Sequence, residues 1–249
     1  RAVETRDETE RRLWHEFLAA TGAPDFLQHL PDDQARRRWA DAAILAIRRS
    51  GYSLETLLAQ RVASHPDRVL FSDRRDTAAP EWTYAQVAWY ARSVAGALLE
   101  ARKSPRVAIL AENSVDVACA DLACLLHGIL VTPLNVHFEQ DTLAWIFERL
   151  QINTVVTDSD ERLRLLEGVR TALGRDLTIF RVGESAGQSS VRGAPVTPLR
   201  PACARLDPAA VATRLASRRT DLMAPATVMF TSGSTGRPKG VVFNLFNLV

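Results

Sequence analysis

Residues 53–182 alternate between short apolar runs of strand character and amphipathic helical stretches, and that alternation leaves few folds open. Helical spacing runs over Leu54–Ser64, Tyr84–Arg102, Asp116–His127, Asp141–Leu150 and Asp160–Leu173. Extended runs lie between them at Val69–Ser72, Val107–Leu110, Ile129–Leu134, Thr154–Thr157 and Leu177–Val182. Thr83 is placed to cap the helix that starts at Tyr84, with Val87, Ala91, Val94 and Leu98 on its inward face. Strands this short and this uniformly apolar are covered on both faces. Separated by helices, they pair in parallel through βαβ crossovers. The expected class is therefore α/β: βαβ units with a mainly parallel sheet flanked by helices.

Residues 1–50 precede this regime as a helical leader. Glu8–Ala20 carries Leu13, Phe17 and Leu18 on one face and ends near Gly22, and Ala35–Ser50 repeats the pattern through Trp39, Ile44, Leu45 and Ile47. Residues 184–225 break it again. Six prolines and glycines punctuate that stretch between Gly187 and Pro208, and it reads as an irregular connection with helix only at Ala209–Ala216. The expected organisation is a leader over 1–50 and a larger domain over 51–249 that contains the connection.

Bulk chemistry excludes several functions. Thirty-one Lys and Arg against 29 Asp and Glu give a formal charge of +2 with no long basic run, so no nucleic-acid partner is implied. The five histidines show no metal-ligand spacing, and no metal site is expected from them. Three cysteines, an odd number without a pairing pattern, point to a reducing compartment, the cytoplasm. The longest apolar stretch, Val115–Leu134, is interrupted by Asp116, Asp121 and His127, which fits a buried helix and strand better than a membrane span.

The densest chemistry lies near the C-terminus, in Thr231-Ser-Gly-Ser-Thr-Gly-Arg-Pro-Lys-Gly240. The apolar run Ala226-Thr-Val-Met-Phe230 leads into it. Gly233, Gly236 and Gly240 permit positive φ and close backbone approach to an anion. Successive N–H groups can line an oxyanion-binding concavity. Hydroxyls of Thr231, Ser232, Ser234 and Thr235 add hydrogen bonds, and Lys239 adds a point charge. A Walker loop is excluded, because Pro238 precedes the lysine and Gly240 follows it.

The decamer resembles the phosphate loop of the adenylate-forming, AMP-binding superfamily, whose pattern is Thr-Ser-Gly-(Ser/Thr)-Thr-Gly-x-Pro-Lys-Gly. Every fixed position is met, a coincidence rarer than about one in 10⁹ by chance. Trp82-Thr83-Tyr84 and Leu125-Leu-His-Gly-Ile-Leu-Val-Thr-Pro-Leu-Asn135 resemble two further motifs of that superfamily, in the same order. The resemblance covers about residues 52–249 and implies the N-terminal part of an adenylation domain, inactive by itself. It assigns ATP phosphate binding to Thr231, Ser232, Gly233, Ser234, Thr235, Gly236 and Lys239, and leaves Arg237, at the variable position, facing solvent. It names no catalytic or metal-binding residue in the chain. The implied reaction joins a small-molecule carboxylic acid to ATP, with Mg²⁺ ligands outside these residues and coenzyme A or a phosphopantetheine thiol as acyl acceptor. An acyl-CoA synthetase of fatty acid metabolism is the foremost expectation. A carboxylic acid reductase, a peptide-synthetase adenylation domain, or a nucleotide-binding module without catalysis are the alternatives. Asn244-Leu245 stands where many acyl-CoA synthetases have a Thr-His pair, which departs from that subgroup.

Overall fold

A computed structural model of the chain describes residues 12, 30–50, 52–72, 79–183, 190–191, 194–218, 221–231 and 237–248. The expected helix over Glu8–Ala20, apart from Arg12, and the loop residues Ser232, Gly233, Ser234, Thr235 and Gly236 lie outside the described residues. The chain divides into two compact units, one running to Ser53 and the other spanning Leu54–Leu248. In the first, helix α1 (Asp33–Ser50) opens at Asp32, whose Oδ1 accepts the Ala35 N–H at 2.7 Å. Ile44 and Leu45 on this helix are exposed.

The second unit holds an eight-stranded sheet in the order β10-β9-β4-β3-β5-β6-β8-β7. Its parallel strands are β3 (Arg106–Leu110), β4 (Leu130–Pro133), β5 (Thr154–Thr157), β6 (Thr178–Arg181), β8 (Ala194–Pro198) and β9 (Pro225–Thr231). The two edges, β7 (Ser190–Val191) and β10 (Lys239–Asn244), pair antiparallel to their neighbours. A separate antiparallel pair, β1 (Val69–Phe71) and β2 (Trp82–Thr83), lies beside it in sequence.

The expected class is what the chain adopts, and the strand alternation explains the layering. Val107 and Ile109 of β3 enter one buried cluster, whereas Ala108 and Leu110 enter the other. The first face is covered by α3 (Tyr84–Ala101), α4 (Val115–Leu126), α7 (Leu199–Ala204) and α8 (Pro208–Ala216). The opposite face is covered by α5 (Gln140–Leu150) and α6 (Asp160–Leu173). Helix α2 (Leu54–Ser64) contributes Leu54 and Leu58 to the margin of the first cluster.

Local signals set the boundaries. Thr83 and Gln86 form a capping box at α3, with the Thr83 N–H 2.8 Å from Gln86 Oε1. Ser114 and Ser159 cap α4 and α6 through their hydroxyls. Gly128 and Gly174 take left-handed φ of 62° just beyond helix ends, where a side chain is disfavoured.

One expectation about 184–225 is corrected. The stretch includes β8, which pairs in parallel with β6 through Ile179↔Val196, and the additional helix α7. Its prolines hid the strand, because Pro195 and Pro198 read as loop residues. β8 tolerates them at its antiparallel margin with β7 and at its last position.

Candidate phosphate-binding hairpin and the strand-end cavity

The motif is mounted on an antiparallel hairpin at the sheet edge. β9 and β10 pair from Thr231↔Lys239 through Gly240↔Phe230 to Phe243↔Thr227, so the residues from Ser232 to Pro238 connect two strands. Thr231 and Lys239 therefore face each other across the neck of the loop. The Thr231 Oγ1 donates to the Lys239 carbonyl at a long 3.5 Å. Both residues are exposed, and Lys239 has no acidic partner among the described residues. An unneutralised ammonium at a loop mouth is suited to an anion.

The structure adds detail at two motif residues. Gly240 is not among the described glycines with positive φ. Its missing side chain matters for space instead: a Cβ there would lie 3.1 Å from both Phe230 Cε1 and Val228 Cγ1. Arg237 is exposed yet not free in solvent, since its Cζ lies 5.6 Å from the centre of the Trp145 ring. Sequence reasoning missed Trp145, which stands 92 residues before Arg237 and carries no local mark of the contact.

Just after the hairpin, Asn244 and Asn247 cap each other: the Asn244 N–H donates to Asn247 Oδ1 at 3.1 Å and the Asn247 N–H to Asn244 Oδ1 at 2.9 Å. They frame a 3₁₀ turn over Leu245–Leu248 whose Leu245 is 2% exposed. Position 245 is thus a core position here, and its apolar residue follows from that.

A second concavity lies at the carboxyl ends of β3 and β4. The chain leaves β3 through α4 to reach β4 on one side, then crosses by α5 to β5 on the other, so the strand order reverses there. A cavity of about 330 Å³ sits at this point, lined by Ala111, Asn113, Ser114, Asp121, Pro133 and Leu134 among others. Asp121 Oδ1 is buried without a hydrogen-bond partner, and burial pushes its carboxyl up to about 6. One helix end away, burial, reinforced by Arg92 and Arg218, pushes the His127 imidazole down to about 4. Cys119, Cys124 and Cys203 are free and buried, and burial raises each thiol, Cys119 and Cys203 to about 12, which leaves them unreactive.

Among the described residues no helix is long and apolar enough to cross a membrane. A family model described as AMP-binding enzyme matches residues 58–249. The long-chain-fatty-acid–CoA ligase FadD15 of Mycobacterium tuberculosis is 30% identical over 190 residues, covering 74% of this chain and 30% of that protein. The indigoidine synthase of Streptomyces lavendulae is 28% identical over 199 residues, covering 79% of this chain and 14% of that protein. Among solved structures, the anthranilate CoA ligase AuaEII in complex with anthranoyl-AMP superposes with a TM-score of 0.63 at 17% identity. That likeness spans 79% of this chain and 35% of the ligase, and at such identity it concerns the fold.

Proposed function

The chain belongs to the AMP-binding enzyme family, and from that premise we propose that it carries the ATP-phosphate-holding loop of a carboxylate-activating, adenylate-forming ligase. The observation that carries this reading is the hairpin neck, where Lys239 stands opposite Thr231 with no acidic partner among the described residues. The hydroxyls of Thr231, Ser232, Ser234 and Thr235 and the ammonium of Lys239 hold the β- and γ-phosphates, and backbone N–H groups of Gly233–Gly236 assist. Pro238 narrows the chain's path into Lys239 by fixing φ.

The reaction class follows from charge. A carboxylate is a poor electrophile until its oxygen attacks the α-phosphorus of ATP and pyrophosphate leaves. Both reactants are anions, so positioning and neutralisation lower the barrier. A thiol, of coenzyme A or a carrier protein, then displaces AMP from the acyl-adenylate to give a thioester. Among the described residues no group of three or more His, Cys, Asp or Glu is placed to hold a metal ion. The Mg²⁺ that accompanies ATP takes its protein ligands from the remainder of the full-length protein. Three free buried cysteines support a reducing, cytoplasmic setting.

An acyl-CoA synthetase acting on a fatty or aryl acid is the foremost reading, supported by 30% identity to FadD15. Adenylation within a peptide synthetase is the second, supported by similarity to the nonribosomal peptide synthetase inpB of Emericella nidulans, 31% identical over 168 residues that cover 67% of this chain. The acceptor separates them: thioester release on coenzyme A favours the first, and transfer only to a carrier-protein thiol favours the second.

The test is acid-dependent ATP–pyrophosphate exchange by the full-length protein. Lys239→Ala lowers kcat/KM at least about tenfold, and unchanged exchange removes Lys239 from the role. These 249 residues alone are expected to show no exchange. Robust exchange by them would overturn the view that the chain holds only part of the catalytic machinery.

A further inference from the structure

The far arm of the phosphate loop is tied down by a contact that the motif itself does not contain. Arg237 Cζ lies 5.6 Å from the centre of the Trp145 ring, on α5. Trp145 meets Phe230 of β9 edge-on, with ring centroids 6.5 Å apart and planes at 70°. Phe230 in turn lies across Gly240, where a Cβ would come within 3.1 Å of its ring. One helix, the strand entering the loop and the arm leaving it thus meet in a single chain of contacts. Tryptophan is the strongest aromatic partner for a cation, and edge-to-face packing suits the ring quadrupoles. A long, exposed side chain that otherwise samples many rotamers is held at one end. Only Pro238, with its fixed φ, separates that anchor from Lys239.

We propose that Trp145 is a positioning residue for the phosphate loop: its ring, braced by Phe230, holds Arg237 and so fixes where Lys239 leaves the loop. The inference rests on the reading of the loop as a phosphate site. Trp145 acts through Arg237 and touches no phosphate itself. A side chain at Gly240 would press on the braced Phe230 ring and on Val228, each of which would have to give by a few tenths of an ångström.

The experiment measures tripolyphosphate binding by calorimetry to the 249-residue chain and its variants. Trp145→Ala weakens binding about three- to fivefold, and Trp145→Phe, which keeps a ring, restores it to within about twofold. In an Arg237→Ala background, Trp145→Ala adds nothing further, because the two residues act as one unit. Unchanged binding in Trp145→Ala, or effects of the two changes that simply multiply, would overturn the proposal. Lys239→Ala separates this claim from the one beneath it. Loss of binding in Lys239→Ala but not in Trp145→Ala sinks the positioning role alone; no effect of Lys239→Ala, or no binding by the unaltered chain, sinks the loop reading and this inference with it. Should Trp145→Ala unfold, Arg237→Ala decides, since Arg237 is exposed. That change must alter the Trp145 emission, obtained by difference from Trp145→Phe, and unaltered emission refutes the contact.

Discussion

Asp121 is the residue whose surroundings disagree most with its charge. It lines the strand-end cavity, its Oδ1 is sealed from water without a partner, and burial lifts its carboxyl from 3.8 to about 6. Between those two values the folded chain holds a proton that the unfolded chain has released, so stability falls as pH rises through this window. Above about pH 6 the penalty is fully present; near pH 4 it is small. Replacing Asp121 by Asn keeps the shape and removes the charge. The variant is expected to be more stable than the parent by about 1–2 kcal/mol at pH 7.5, the amide's own unmet polarity offsetting part of the shift's full worth. At pH 4 the two should unfold together. His127, pushed down to about 4, imposes the opposite slope below its unfolded value of 6.5, but it is common to both chains and cancels in the comparison. Urea denaturation at the two pH values checks this, and a variant that is no more stable at pH 7.5 refutes an uncompensated Asp121.

Among elements, α7 shows how a six-residue helix is held in a fixed place. Arg200 on α7 donates through Nε to Asp116 Oδ1 of α4 at 2.8 Å, and its guanidinium lies 5.4 Å from the Trp82 ring of β2 and 6.0 Å from the Tyr90 ring of α3. One side chain joins four elements around an Asp116 side chain that is only 7% exposed. Arg200→Ala leaves that carboxylate buried and unpaired. Because the Arg200 side chain is itself 57% exposed, the cost is set below that of a fully buried pair, at about 2 kcal/mol in urea denaturation. Arg200→Lys returns a cation to Asp116 and recovers part of it, but not the planar contact of the guanidinium with the two rings. A loss under about 0.5 kcal/mol, typical of a surface pair, refutes the claim. This contact also marks what the sequence could tell. Helices α3 to α6 and strands β3 to β6 were legible because period and caps are local, as with Thr83 and Gln86. Asp116 and Arg200 stand 84 residues apart, and Trp145 is as remote from Arg237; such pairings leave no local trace. β8 escaped for a related reason: only tertiary pairing with β6 makes an extended, proline-bearing run into a strand. In the candidate site, Thr231 and Lys239 were legible from the motif alone, whereas the packing role of Gly240 needed the ring above it.

For the molecule as a whole, the sheet order gives the candidate site a mechanical setting. β3 and β5 lie at the centre, registered through Val107↔Thr154 to Leu110↔Thr157, and their residues from Val107 to Leu110 and Thr154 to Thr157 are buried. β10 is an edge strand, with Val241 and Val242 exposed and one neighbour, β9. β9 itself joins the parallel body at a single registered position, Val131↔Thr227, against six such positions with β10. The hairpin that bears the loop is therefore bound more extensively to itself than to the rest of the sheet. Release of β10 alone breaks a ladder on one side only and leaves the buried Ala226, Thr227 and Val228 of β9 in place. Native-state hydrogen exchange should resolve two classes of amide. Those of Val107–Leu110 and Val155–Val156 exchange only with global unfolding, and their opening energy falls steeply as urea is added. Those of Val241 and Phe243 exchange through a local opening whose energy lies below the global value and responds weakly to urea. Convergence of the two classes at low urea would instead make the hairpin an integral part of the core.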